Sequence, residues 1–125
     1  MNKFQSQVIE FHEKFSQPIG HRLQGLQRHD LRAKLIEEEA KETADAIRRG
    51  DFTEAVDGLC DLIYVACGAA TEFGVDLEPY FNEVHKTNML KDGGPTRNDG
   101  KILKPKGWIP PQIAEMLKAG IGRIK

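Results

Sequence analysis

The sequence predicts an all-α fold, a bundle of four to five helices. Apolar residues recur at helical spacing in several segments, and each segment is bounded by glycine, proline or a helix-capping residue. No segment shows the alternation typical of a strand. At 125 residues and 39% hydrophobic content, the chain fits one domain. We expect a helical core over residues 2–90 and an irregular C-terminal segment over residues 91–125.

The first two helices are predicted from their amphipathic pattern and their boundaries. Residues 2–15 carry apolar side chains near helical spacing, and Pro18 follows them. A second helix is predicted to start with Asp30 as its N-cap and to run to Arg49. Gly50 then ends it, as glycine commonly does after a last helical turn.

The third helix is the most apolar segment of the chain. Asp51 begins a sequence typical of a capping box, and the helix is predicted to end at Phe73 with Gly74 beyond it. Residues 59–70 are apolar nearly all the way round, so we expect the helix to be largely buried. Four helices of this size cannot cover it alone, and we therefore expect the chain to assemble as an oligomer.

The remaining chain is predicted to hold one more core helix and a short terminal one. Asp76 caps the fourth helix, which has Pro79 in its first turn and runs to about Leu90. Residues 91–110 are rich in glycine and proline, which predicts irregular chain with one tight turn. A short helix over residues 111–119 closes the domain.

Composition restricts the classes of partner. The net charge is −1, so no overall basic field attracts nucleic acid. The longest apolar stretch is far shorter than the roughly 20 residues that cross a bilayer. The N-terminus lacks the apolar core of a signal peptide. We expect a cytoplasmic protein with neither a nucleic-acid nor a membrane partner.

Nine carboxylates lie between Glu37 and Asp61, on the second and third predicted helices and the turn between them. On the second helix, Glu38 and Glu39 lie four and three residues before Glu42, so the three share a face. On the third helix, Asp57 and Asp61 are also four residues apart. If the two helices pack side by side, these five carboxylates converge.

Converging carboxylates repel one another. Two charges about 5 Å apart cost about 3 kcal/mol at an effective dielectric constant near 20. An oxygen-rich cage of this kind suits more than one Mg²⁺ or Mn²⁺ ion. The alternative is a solvated face paired with basic neighbours such as Lys41. We favour that alternative for Glu37 and Asp45, whereas Asp61 is flanked by apolar residues.

A di-iron bundle also clusters carboxylates, but it needs a glutamate three residues before a histidine on two helices. None of the four histidines has a glutamate at that position. The pattern therefore excludes this kind of site.

The acidic pattern resembles a known family. Residues 35–42 resemble the EExxE helix of the MazG-like all-α nucleoside triphosphate pyrophosphohydrolases, relatives of the dimeric dUTPases and the phosphoribosyl-ATP pyrophosphohydrolases. The family's second signature is ExxD on the next helix. Asp61 matches its aspartate, but Gly58 stands where the glutamate is expected, and Asp57 substitutes for it one residue earlier. Residues 83–91 resemble the family's NxxK segment.

The resemblance implies a nucleoside triphosphate diphosphohydrolase that converts a (deoxy)nucleoside triphosphate to the monophosphate and diphosphate, in control of the nucleotide pool. It implies more than one Mg²⁺ (or Mn²⁺) ion, bound by Glu38, Glu39, Glu42, Asp57 and Asp61. Such ions would bridge phosphate oxygens and lower the pKa of a bound water. Glu38 or Glu39 would act as the general base.

Further residues are candidates for binding the triphosphate. Asn88 would orient a phosphate and Lys91 would stabilise the leaving diphosphate, although Lys91 could simply favour the C-terminus of its helix. Arg32 and Lys34 could reach phosphate or solvate their helix. Tyr64 could hydrogen-bond a carboxylate or belong to the core.

Two other functions stay open at this point. One is phosphoribosyl-ATP pyrophosphohydrolase, and the other is a non-catalytic helical module whose carboxylates bind a basic partner. The expected partners of an enzyme are a nucleoside triphosphate and further copies of the chain, as a dimer or a dimer of dimers. Phe11, His12, Phe15 and Trp108 are candidates for contacting the base, although we favour a core or interface position for each.

Overall fold

The computed structural model describes residues 1–20 and 28–124, and within these residues the chain is all-helical with no strand. This confirms the predicted fold class. The stretch of the predicted core at residues 21–27 lies outside the described residues. The helices are α1 (Lys3–Lys14), α2 (His29–Arg48), α3 (Phe52–Phe73), α4 (Leu77–Asn88) and α5 (Ile113–Lys118).

The ends of α3 follow the local sequence. The carboxylate of Asp51 accepts a hydrogen bond from the backbone N–H of Glu54 at 3.1 Å, which satisfies one of the free donors of the first turn. Gly74 ends the helix in the left-handed conformation, with φ of 78°. The predicted start of α2 is wrong by two residues: Arg28 is the N-cap, the helix begins at His29, and Asp30 lies in its first turn.

The chain divides into two compact units. The first comprises Met1–Leu77 with Arg123–Lys125, and the second comprises Glu78–Gly122. In the first unit, α1 and α2 both pack against α3. The N–H of Ile124 donates to the carbonyl of Gly74 at 2.9 Å, which fastens the returning chain to the end of α3. A single domain stays a prediction.

The burial of α3 differs between its two halves. Every residue from Cys67 to Glu72 is buried. In the first half, however, Phe52, Leu59 and Ile63 have 82%, 48% and 44% of their surface exposed. The single chain therefore leaves part of the apolar surface of α3 uncovered, and the expectation that the chain cannot cover this helix alone is consistent with that exposure. None of the helices in the described part of the chain combines the length and the apolarity that crossing a bilayer requires.

A buried ion cluster joins α2 to the C-terminal half of α3. Glu72 is 2% exposed and forms ion pairs with Arg28 and Arg32. Nη2 of Arg32 also donates to the carbonyl of Val65 at 3.0 Å. Burial lowers the pKa of Arg32, and the charge of Glu72 opposes that effect. Both interpretations of Arg32 from the sequence, phosphate contact or solvation, are wrong because its guanidinium lies inside the helix pair.

Candidate active site

The helices α2 and α3 touch at a threonine and a glycine. Thr43 is 3% exposed, and its Oγ1 donates to the carbonyl of Glu39 at 2.6 Å. A Cβ placed on Gly58 would lie 2.4 Å from this Oγ1 and 3.1 Å from the Cα of Thr43. Such distances are shorter than a side chain tolerates, so the glycine permits the close approach of the two helices.

This contact lies between the acidic residues of the two helices. Glu39 and Glu42 come four and one residues before Thr43 on α2. Asp57 and Asp61 come one residue before and three residues after Gly58 on α3. Because positions three and four apart share a helix face, the contact brings the two acidic sets toward each other.

The electrostatic environment of Glu39 reflects this convergence. Burial is the largest cause that raises the pKa of Glu39 above its ordinary value, followed by the negative charge of Asp61. The charges of the other three predicted metal ligands, Glu42, Glu38 and Asp57, raise the pKa of Glu39 further. All five predicted metal ligands therefore lie close enough to influence one group.

One oxygen of Glu39 has no polar partner. Its Oε2 atom is buried, and no donor among the described residues forms a hydrogen bond with it. A buried carboxylate oxygen without a partner is costly, and a cation is the usual partner where neighbouring side chains are also acidic. The atom indicates where a positive charge would be stabilised.

A cavity of about 200 Å³ lies beside the contact. It is lined by Glu42, Asp45, Arg49, Glu54, Asp57, Gly58 and Asp61. Three of the five predicted metal ligands therefore line it directly. Glu38 and Glu39 do not line it. The carboxylate of Glu38 is half exposed and lies 4.0 Å from the ammonium group of Lys34.

Two acidic residues of this cavity were not predicted as site residues. Glu54 lies three residues before Asp57 and therefore on the same face of α3. From the sequence, Glu54 is predicted only as part of the capping box that Asp51 begins. Asp45 was assigned to a solvated face with Lys41. The structure places Nζ of Lys41 2.7 Å from its carboxylate, and this hydrogen bond lowers the pKa of Asp45. Asp45 lies three residues after Glu42 and therefore on the same face of α2, and this spacing could have identified it as a residue of the cavity.

The donor set suits a hard divalent ion, because carboxylate oxygens are the ligands that Mg²⁺ and Mn²⁺ prefer. Within residues 1–20 and 28–124, however, no three Asp, Glu, His or Cys side chains stand close enough together to ligate one ion. The residue types and the unpartnered oxygen of Glu39 fit a metal. Ligation would require rotation of the other side chains, which the exposure of Glu42, Asp57 and Asp61 permits.

The structure does not bring Tyr64 into the acidic cavity. Its ring stands at 86° to that of Phe11, with 5.7 Å between centroids. Tyr64 also lines an apolar groove of about 210 Å³ between α1 and α3, together with Phe4 and Ile63. The ring packs against α1 but keeps 41% of its surface exposed, so Tyr64 is a surface residue of this groove and not a core residue.

Asn88 and Lys91 lie in the second unit. Asn88 is the last residue of α4, and its carbonyl accepts the N–H of Lys91 at 3.2 Å. Both residues line a cavity of about 530 Å³, together with Gly93 and Gly94. The NxxK segment therefore forms one wall of a space that could hold a ligand group.

A family model described as phosphoribosyl-ATP pyrophosphohydrolase matches residues 8–88. The matched range runs from within α1 to the end of α4 and contains all five predicted metal ligands. No curated protein matches the chain. The match confirms the resemblance that the acidic pattern indicated, and it identifies the protein as a nucleotide pyrophosphohydrolase. The chain belongs to the phosphoribosyl-ATP pyrophosphohydrolase family, within the MazG-like all-α superfamily.

Proposed function

We propose that the protein is a metal-dependent (deoxy)nucleoside triphosphate pyrophosphohydrolase acting on the cytoplasmic nucleotide pool. The reaction splits the triphosphate with water into a nucleoside monophosphate and diphosphate. The observation that carries the proposal is the meeting of two acidic helix faces at Thr43 and Gly58, with a Glu39 oxygen buried and unpartnered there. A triphosphate bears about four negative charges, so an acidic pocket attracts it only through cations.

The carboxylates of Glu38, Glu39, Glu42, Asp57 and Asp61 would hold Mg²⁺ or Mn²⁺. When bound, the ions would neutralise phosphate charge and make a bound water more acidic. The rest of the chemistry belongs to the chain. Glu38 or Glu39, whichever is less engaged with metal, accepts the proton of the attacking water at a carboxylate oxygen.

Asn88 and Lys91 would bind the phosphates. The amide of Asn88 donates to a phosphate oxygen, and the ammonium group of Lys91 stabilises the charge that develops on the departing diphosphate. Lys34 adds a further positive charge near Glu38 at the edge of the acidic face. Each group is more effective in the transition state, where the leaving oxygens carry more charge.

Phosphoribosyl-ATP is the second candidate substrate, because the matching family is described by it. It carries the same triphosphate, and the same bond would be cleaved. The two candidate substrates differ in the group attached to the triphosphate: a nucleoside in the first, and a nucleoside that carries a phosphoribosyl group in the second. A substrate panel therefore separates them without any assumption about the metal.

A homo-oligomer, a dimer or a dimer of dimers, accompanies this proposal. The supporting observation is the exposed apolar first half of α3, where Val56 and Leu59 have 46% and 48% of their surface exposed. Exposed apolar residues on one helix in this number mark an interaction surface. A second copy of the chain would bury these residues, as we expect for a helix that one chain cannot cover alone.

The test is a diphosphate-release assay. Purified protein is incubated with each nucleoside and deoxynucleoside triphosphate and with phosphoribosyl-ATP, each with Mg²⁺, with Mn²⁺ and with chelator. We expect release from at least one substrate only with metal, and none from Asp61→Asn. Glu37→Gln serves as the control, because Glu37 is an exposed carboxylate of α2 that is not among the predicted metal ligands. A folded protein that releases no diphosphate from any substrate would contradict the proposal and favour the non-catalytic binding module.

A further inference from the structure

Three side chains of the second unit form what we term the Trp108 cluster: Trp108, Lys91 and Lys104. Nε1–H of Trp108 donates to the carbonyl of Thr87 at 2.7 Å, which fixes the indole against the last turn of α4. The ammonium nitrogens of Lys91 and Lys104 lie 5.1 and 5.2 Å from the centroid of its ring. One aromatic ring therefore holds two positive charges.

The backbone between the two lysines is folded so that both side chains reach the same indole. The N–H of Gly94 donates to the carbonyl of Lys91 at 3.1 Å, and the N–H of Leu103 donates to the carbonyl of Pro95 at 2.8 Å. A Cβ on Gly94 would lie 2.1 Å from the carbonyl oxygen of Leu103, so a glycine is required at this crossing. The residue after Leu103 is Lys104, which is thereby placed beside the indole.

Neither ammonium group of the cluster has an acidic partner within 4.0 Å among the residues that the structure describes. Other lysines do, among them Lys41, whose Nζ lies 2.7 Å from Asp45, and Lys86, 3.3 Å from Glu83. The face of the indole attracts each ammonium, but two like charges on one ring repel each other. An anion that contacts both would remove that repulsion.

The charge of this segment differs from that of the rest of the chain. Residues 91–108 contain five Lys or Arg and two Asp, whereas the whole chain has a net charge of −1. One of the two carboxylates, Asp99, is bound by the guanidinium of Arg97 through contacts of 2.8 and 2.6 Å. The other, Asp92, lines the cavity of Asn88 and Lys91. The segment is a local positive region that follows the family-matched residues 8–88.

We propose that Lys91 and Lys104, each placed against the ring of Trp108, bind a diphosphate group, one ammonium to each phosphoryl unit. Lys104 is then an additional phosphate-binding residue, and Trp108 is a positioning residue that acts through the two lysines. Diphosphate fits because its charge is divided between two phosphoryl units, and each ammonium offers three donors. The assignment of this group as the leaving diphosphate of the substrate rests on the proposed function.

Trp108 provides the measurement, because it is the only tryptophan in the chain. Inorganic diphosphate is titrated into the whole protein at constant ionic strength, and the emission of Trp108 is followed. We expect a saturable change, and Lys104→Gln should weaken the apparent affinity about tenfold, the loss of one charged contact. Lys104→Arg should retain most of it, because the positive charge remains.

The control is Lys106→Gln, which removes a positive charge from the same segment but not from the Trp108 cluster. We expect its titration to match that of the unmodified protein. Three results would each overturn the proposal: no saturable change of emission, no effect of Lys104→Gln, or an equal loss in Lys106→Gln. The last result would mean that only the general field of the segment attracts diphosphate.

The positioning role of Trp108 has its own readout. Diphosphate binding to Trp108→Phe and Trp108→Ala is measured by ³¹P line broadening, with circular dichroism as the check of folding. The phenylalanine variant keeps a ring face for the lysines and should retain more affinity than the alanine variant. Equal affinities in two folded variants would contradict the role.

These titrations use no nucleotide and no turnover. An inactive protein whose emission still responds to diphosphate would contradict the proposed function but not the diphosphate site. An active enzyme whose emission does not respond to diphosphate would contradict the diphosphate site but not the proposed function.

Discussion

The side chain of Thr43 occupies the space that a Cβ on Gly58 would need, with only 2.4 Å from that position to Oγ1. This relationship explains why the chain departs from the family's ExxD signature. A glutamate at position 58 does not fit beside Thr43 at this helix spacing. An acid at position 57 avoids the contact and still lines the cavity with Asp61.

Gly58→Ala should therefore destabilise the protein and weaken metal binding. Alanine gains up to about 1 kcal/mol in helix propensity over glycine, but the steric conflict costs about 1–3 kcal/mol, so we expect a lower melting temperature. Thr43→Ala combined with Gly58→Ala removes Oγ1 and should recover part of the loss. A single variant that melts at or above the unmodified protein would show that the helices are not held by this contact.

The acidic site should respond to divalent ions in a thermal melt. A ligand at 100 times its dissociation constant adds about 2.7 kcal/mol to the folded state, so Mg²⁺ or Mn²⁺ should raise the melting temperature. Glu42→Gln and Asp61→Asn should lose this response, and Glu37→Gln should keep it. If neither metal changes the melting temperature of the unmodified protein, the non-catalytic module is favoured.

Removing the buried carboxylate of Glu72 should be strongly destabilising. Glu72→Gln leaves the buried guanidinium of Arg32 without its counter-charge, and we expect a loss of about 3–5 kcal/mol in the free energy of unfolding. Urea denaturation measures it. Glu115→Gln is the control, because its ion pair with Lys118 is exposed and worth at most about 1 kcal/mol. Similar losses in both variants would contradict a buried role for Glu72.

Glu83 should make stability depend on pH in the acid range. Its carboxylate accepts the N–H of Gln112 at 2.8 Å, and this bond, followed by that from Lys86, lowers the pKa of Glu83. A depressed folded-state pKa contributes stability that is complete above the unfolded value, about 4.3, and is lost as the pH falls through the folded value. Melts of Glu83→Gln between neutral and acid pH should show a shallower decline. Identical declines would rule out this contribution.

The exposed apolar groove of α1 and α3 should be covered in an oligomer. Ile63→Glu places a charge at 44% exposure in that groove, where a partner would have to bury it. Sedimentation should then show dissociation to monomers. Met89→Glu, an exposed apolar residue of the second unit, should leave assembly unchanged. A monomeric unmodified protein would contradict the expected oligomer directly.

Local chemistry in the sequence determined that the chain is helical and where α3 begins and ends. Asp51 and Gly74 predicted both boundaries of α3, because capping and the left-handed conformation depend on residues close in the chain. The spacing of Glu39 and Glu42 on α2, and of Asp57 and Asp61 on α3, likewise predicted which carboxylates share a face of each helix. The turn predicted from the glycine-rich residues after α4 is present, with the N–H of Gly100 bonded to the carbonyl of Arg97 at 2.8 Å.

Only the tertiary structure decided which of these faces meet and what each side chain contacts. Three contacts join residues far apart in the chain: Thr43 lies against Gly58, Arg32 pairs with Glu72, and Lys91 lies over the ring of Trp108. Periodicity assigns a residue to a face of its own helix, but packing also depends on the shape of the element against which that face lies. For the same reason the apolar pattern of α3 could not tell which half the chain covers itself and which half it leaves exposed.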